Sequence, residues 1–205
     1  MKIGLCAFVV SAAVCVPSLL SASAIDTTFN VSFDTTSLEG AGPFELAFLL
    51  TDGNGVGDGN TTVTLNNFQF GFGGSAGSQT LDSTGGVSGS LAASVTLTDT
   101  TFFNLFGSEF LAGNDLAFQV GIVSSTLDSP TPDLFQVVIL DSFGNPLPTS
   151  DPSGQDSLLI DTLDSSSPVA QLYTLPSTVP EPGSLGLFLA AGCVTGLLHR
   201  KLRKS

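Results

Sequence analysis

Apolar and polar residues alternate along most of the middle of this chain. Phe29, Val31 and Phe33 are separated by Asn30, Ser32 and Asp34, and Phe44, Leu46, Phe48 and Leu50 repeat the pattern. Over residues 87–98 the set Val87, Gly89, Leu91, Ala93, Val95 and Leu97 shares one face, and Leu116, Phe118, Val120 and Ile122 make another such row. A period of two signals strands with one buried face. One strand changes phase: Val63 and Leu65 are odd, whereas Phe68, Phe70 and Phe72 are even. The switch at Asn66-Asn67 predicts a β-bulge or bend. Further strands are expected at 135–140, 157–162 and 169–175. In 101–111, Phe102, Phe106 and Phe110 fall four apart, as on a helix, which predicts an irregular edge segment with one helical turn. The glycine-rich run 71–86 lacks a hydrophobic pattern and reads as a flexible surface loop. Eight or nine short strands broken by Gly, Pro, Asn and Asp predict an all-β chain folded as a β-sandwich of jelly-roll type.

The two ends follow other patterns. Lys2 precedes an apolar run over 3–16 and then Ala22-Ser23-Ala24, the form of a secretory signal peptide cut after Ala24 by signal peptidase. Val14 ahead of Cys15 argues against lipidation. At the other end come Pro180-Glu181-Pro182, an uncharged run over 183–198, and the basic group His199, Arg200, Lys201, Arg203 and Lys204. As a helix the uncharged run would span roughly 24 Å, short for a bilayer core of about 30 Å, and the bases would hold its end in the cytoplasm. The chain therefore divides into a signal helix (1–24), a β-sandwich ectodomain (25–178) and a tail with a transmembrane helix (179–205).

This order of motif, small-residue helix and terminal basic cluster resembles the PEP-CTERM sorting signal of bacterial exported proteins. The resemblance implies that exosortase, a membrane transpeptidase, reads the tail. Pro180, Glu181 and Pro182 would serve recognition and processing, and Arg200 retention at the cytoplasmic face. It also implies delivery to the cell envelope or the extracellular matrix, with the chain transiently or permanently membrane-anchored. A plain C-terminal anchor of the same polarity is the alternative. The stretch 132–161, in which a strand ends in Asp and crosses a Gly-Asn-Pro turn, is similar to a segment of certain uncharacterised β-sandwich PEP-CTERM proteins. That likeness implies no activity.

Charge narrows the choice of partners. All five Lys and Arg lie in the terminal segments, and seventeen of the eighteen acids lie in 25–178, which carries −17. Nothing there can neutralise phosphate, so nucleic acid is excluded as a partner. Divalent cations and neutral polymers such as extracellular polysaccharide remain compatible. Cys6, Cys15 and Cys193 all lie in the ends, so the domain folds without disulfides.

Catalytic residue types are scarce as well. The single His is His199, and the domain has no Cys or Lys, which removes the usual nucleophile and base pairs. Two carboxylates, Glu45 or Glu109 with a nearby Asp, could in principle hydrolyse a glycoside, but no pair stands out, and a non-catalytic protein is expected. Fourteen of the sixteen Phe fall in the domain and read as core, and with no Trp and only Tyr173 a sugar-stacking platform has little to build on. No cofactor is required. The loop containing Asp52, Asn54, Asp58 and Asn60 places oxygen donors at alternate positions, a candidate for Ca²⁺. Val56 and Val63 stand where an EF-hand needs ligands, so a hairpin loop of Asx turns is the competing reading. The leading expectation is an exported surface or matrix protein, and the alternative is a Ca²⁺-dependent carbohydrate-binding module of the exopolysaccharide matrix.

Overall fold

The computed structural model describes residues 24–128, 131–164 and 170–177. Ala22, Pro180, Glu181, Pro182 and Arg200, together with the expected signal and transmembrane helices, lie outside the described residues. Among those described, no helix is long and apolar enough to cross a membrane.

Among the described residues eleven strands are formed: β1 (Ile25–Asp34), β2 (Phe44–Thr51), β3 (Thr61–Gln69), β4 (Ser75–Thr84), β5 (Gly86–Gly89), β6 (Ser94–Thr98), β7 (Phe103–Leu111), β8 (Asp115–Ser124), β9 (Asp133–Leu140), β10 (Leu159–Leu163) and β11 (Gln171–Leu172). One sheet has the order β1-β8-β3-β6-β5 and the other β11-β10-β9-β2-β7-β4, with every pairing antiparallel. They pack face to face as a β-sandwich. Along β8 the alternate residues Leu116, Phe118, Val120 and Ile122 are buried, as a strand with one inward face requires. Those of β1, β3 and β6 join them in one core with Leu46, Phe48 and Leu50 of β2 and with Phe106 and Phe110 of β7. Phe48 bridges the sheets, its ring centroid 5.6 Å from Phe118 and 5.9 Å from Phe68.

Burial in β9 departs from simple alternation, with six of its eight residues buried. The connection from β9 to β10 folds back to produce this. Pro146 bridges to Leu140, and Gln136 bonds to Gln155 and Ser157, so the outward face of β9 is covered too. The Asp ahead of the Gly-Asn-Pro turn closes it, since the Asp141 carboxylate accepts the amides of Phe143 (2.8 Å) and Asn145 (2.9 Å).

The phase switch in β3 is a bulge. Its register against β8 shifts between Asn66 and Gln69, and Asn67 sits at φ 57°. The extra residue turns the even positions inward, so Phe68 stacks on the core at 5.5 Å from Phe118. Asn tolerates this left-handed backbone, whereas a β-branched residue does not. Asn67→Val is therefore expected to cost about 1 kcal/mol, read as a lower urea midpoint at unchanged slope.

Four expectations are corrected. The run 87–98 is not one strand but a hairpin, β5 paired with β6, because Ser90 N–H donates to Ser94 O (2.9 Å) and turns the chain. Segment 101–111 contains no helical turn: β7 lies between β2 and β4, inside its sheet. A spacing of four is a multiple of two, so Phe106 and Phe110 share the inward face of a strand. The glycine-rich run 71–86 contributes β4, which pairs with β7 through backbone groups and with register shifts near Thr80. Nor are all the Phe core, since Phe72 and Phe143 are 84% and 87% exposed and Phe102 is also exposed.

Candidate functional site

The connections β2–β3, β6–β7 and β8–β9 each cross from one sheet to the other. Register places these three crossings at one end of the sandwich: Thr51 is opposite Phe103 and Leu134, and Thr61 is opposite Ser124. Each crossing carries acids. Asp52 and Asp58 are in the first, Asp99 in the second and Asp128 in the third, while Asp133 opens β9.

Two glycines let the first crossing lie against the other two. A Cβ on Gly53 would run into the backbone of Thr131 and Pro132, and one on Gly57, at φ +71°, would come within 2.6 Å of Thr100 O. The close approach brings one oxygen each of Asp52, Asp128 and Asp133 within 4.8 Å of one another, and likewise Asp52, Asp58 and Asp99. The two triads share Asp52. Asp52, Asp99 and Asp133 are buried, Asp128 partly so, and Asp58 is exposed.

Neutral donors surround the carboxylates. Asp52 accepts the amides of Gly55 (2.8 Å) and Gly57 (2.6 Å), Asp133 that of Gly53 (2.9 Å), and Asp99 Oδ1 that of Thr61 (3.0 Å). Asp99 Oδ2 is buried without a hydrogen-bond partner. Burial pushes the Asp99 carboxyl up to about 7, helped by the charges of Asp133 and Asp58. Burial also raises Asp133, with Asp128 adding to it.

Of the four residues singled out in the loop, Asp52 and Asp58 enter the cluster directly. Asn54 and Asn60 support it as donors. Asn60 Nδ2 reaches Asp58 (2.9 Å) and Asp128 (3.2 Å), and Asn54 Nδ2 reaches Asp58 (3.4 Å) while its Oδ1 takes the Val56 amide. Sequence reading missed Asp99, Asp128 and Asp133, which lie 41, 70 and 75 positions beyond Asp58. The one local signal was an acid at a strand boundary: Asp52 follows β2, Asp99 follows β6 and Asp133 begins β9.

A second acidic set lies on the β2 sheet, on the face away from Leu46 and Phe48. Glu45 and Glu109 are direct partners across β2 and β7, and Glu45 is buried with Oε1 unpartnered. Its carboxyl is raised, first by burial and then by the neighbouring Asp82. No His, Cys or Lys is present in 25–178 to complete a nucleophile and base pair around either set.

What fold and site define together is an acidic β-sandwich with a carboxylate cluster across its sheet-to-sheet connections. No protein-family model, curated protein or solved structure matches the chain.

Proposed function

We propose that this chain is an exported, non-catalytic surface or extracellular-matrix protein, delivered by a signal peptide and sorted by an exosortase-type system. The observation that carries the reading is the tail: Pro180-Glu181-Pro182, a short uncharged run and a terminal cluster containing Arg200, on a chain that also opens with a signal-like segment. Signal peptidase and exosortase are then its processing enzymes, and the working site is the envelope or the polysaccharide matrix outside it. The ectodomain is of jelly-roll type. The order β1-β8-β3-β6 against β2-β7-β4, with successive strands mostly alternating between sheets, supports this, and β5 departs from it by pairing with β6. A domain of net charge −17 without Lys, Arg, His or Cys favours a structural or adhesive role over catalysis.

Intact mass of the protein from its native host, with cells and medium measured separately, tests the sorting. A species starting at Ile25 and ending near Pro180-Glu181-Pro182 is expected, and Glu181→Ala should accumulate as a longer, membrane-bound form. Full-length protein to Ser205 found only in membranes, with no difference for Glu181→Ala, would make the tail a plain anchor.

A further inference from the structure

Among the described residues the five aspartates at the crossing end have no counter-charge, since those residues contain no Lys, Arg or His. Asp52, Asp99 and Asp133 are 0%, 0% and 3% exposed, so water does not screen them. The amides of Gly53, Gly55, Gly57 and Thr61 and the side chains of Asn54 and Asn60 supply dipoles but no net charge. Carboxylates withdrawn from water and crowded together are costly unless a positive charge joins them.

Asp99 supplies an independent sign. Its Oδ1 is committed to the Thr61 amide, while Oδ2, in a wholly buried side chain, has no partner. Buried polar oxygens are nearly always bonded, so an orphan beside two other carboxylates points to a ligand. We propose that the cluster binds Ca²⁺, with Asp52 shared between the two triads, Asp99 and Asp133 as the buried ligands, and Asp58 and Asp128 closing the site toward solvent.

The donor set selects the ion. All the acidic donors are oxygens, and residues 25–178 hold no His or Cys for softer metals. Ca²⁺ takes six to eight oxygens at about 2.4 Å, so ligands on opposite sides of it are about 4.8 Å apart. The oxygens of each triad all lie within 4.8 Å of one another, close enough to share one such ion. Mg²⁺ demands a tighter octahedron and keeps its waters, which suits a crowded group of partly buried carboxylates less well. An ion in the Asp52, Asp58 and Asp99 triad would tie the first connection to the second, and one in the Asp52, Asp128 and Asp133 triad would tie the first to the third. This inference does not depend on how the chain is sorted.

The test uses the full-length chain in detergent, stripped with EGTA and titrated with CaCl₂ by calorimetry and thermal melting. Saturable heat is expected, with a melting temperature about 5–10 °C higher at roughly a hundred times the dissociation constant. Asp99→Asn and Asp133→Asn each remove a buried charge, so both should fold without Ca²⁺, and each should weaken binding at least ~10-fold. Asp141→Asn, whose carboxylate serves its own turn, should bind as the parent does. Three results would overturn the assignment: no saturable heat up to ~10 mM Ca²⁺, above the range of weak extracellular sites; an equal shift with MgCl₂ or with NaCl of matched ionic strength; or an undiminished response in both Asp99→Asn and Asp133→Asn.

Discussion

Phe48→Ala should lower the stability of the ectodomain by about 3–5 kcal/mol, more than any other single change considered for this chain. Phe48 is completely buried at the middle of β2. It stacks on Phe106 within its own sheet at 6.4 Å and meets Phe68 and Phe118 of the facing sheet at 5.9 and 5.6 Å. Truncation loses the transfer free energy of the ring and leaves a cavity between two sheets whose hydrogen-bonded frames cannot close over it. Phe48→Leu keeps much of the volume and should cost about 1–2 kcal/mol. Urea unfolding followed by far-UV circular dichroism reads both. A loss below about 1 kcal/mol for Phe48→Ala would mean that the sheets are not held by this aromatic contact.

Asp161→Asn should stabilise the protein at pH 7.5 by about 1–3 kcal/mol and have almost no effect near pH 3. Asp161 lies on β10 in the inward row of Leu159 and Leu163, wholly buried, with neither carboxylate oxygen bonded. Burial pushes its carboxyl up to about 6, with the charge of Asp164 adding to the shift. The folded state therefore binds this proton more tightly than the unfolded chain does. Below the ordinary value of 3.8 both states are protonated and the group is neutral in the balance. As pH rises from about 4 to 6 the unfolded chain releases the proton first, and folding stability falls. Above about 6 the folded protein carries a buried, unpaired anion and the full penalty persists. Asn removes the titration and keeps the shape. Melting temperatures of the two proteins should converge at low pH and separate above about pH 6. Curves parallel across the range would show that Asp161 is not the buried acid responsible.

Much of the framework was legible from the period of two alone, because inward rows such as Leu116, Phe118, Val120 and Ile122 are dictated by burial of one strand face. The bulge at Asn67 was legible for the same reason, since only an inserted residue keeps Val63, Leu65 and Phe68 all facing inward. The misreadings share one cause: the signal consulted was side-chain hydrophobicity. Strand β4 is held to β7 by backbone bonds that its small side chains do not announce. The turn at residues 90–93 splits an unbroken alternation through backbone bonding at Ser90. A spacing of four between Phe106 and Phe110 fits helix and strand alike until the neighbouring strands are known.

The chain by itself determined the all-β character, the inward rows of its strands, and the absence of basic and sulfur chemistry from residues 25–178. Those properties depend on residue type and local spacing, which folding does not alter. Tertiary structure alone decided which strands are neighbours and therefore which acids meet. Asp52 and Asp133 are 81 residues apart in sequence, yet they share a cluster because β2 and β9 start and end side by side. Local pattern says that an acid stands at the end of a strand. Only the order of strands, set by closing the core, says what other charges it must face.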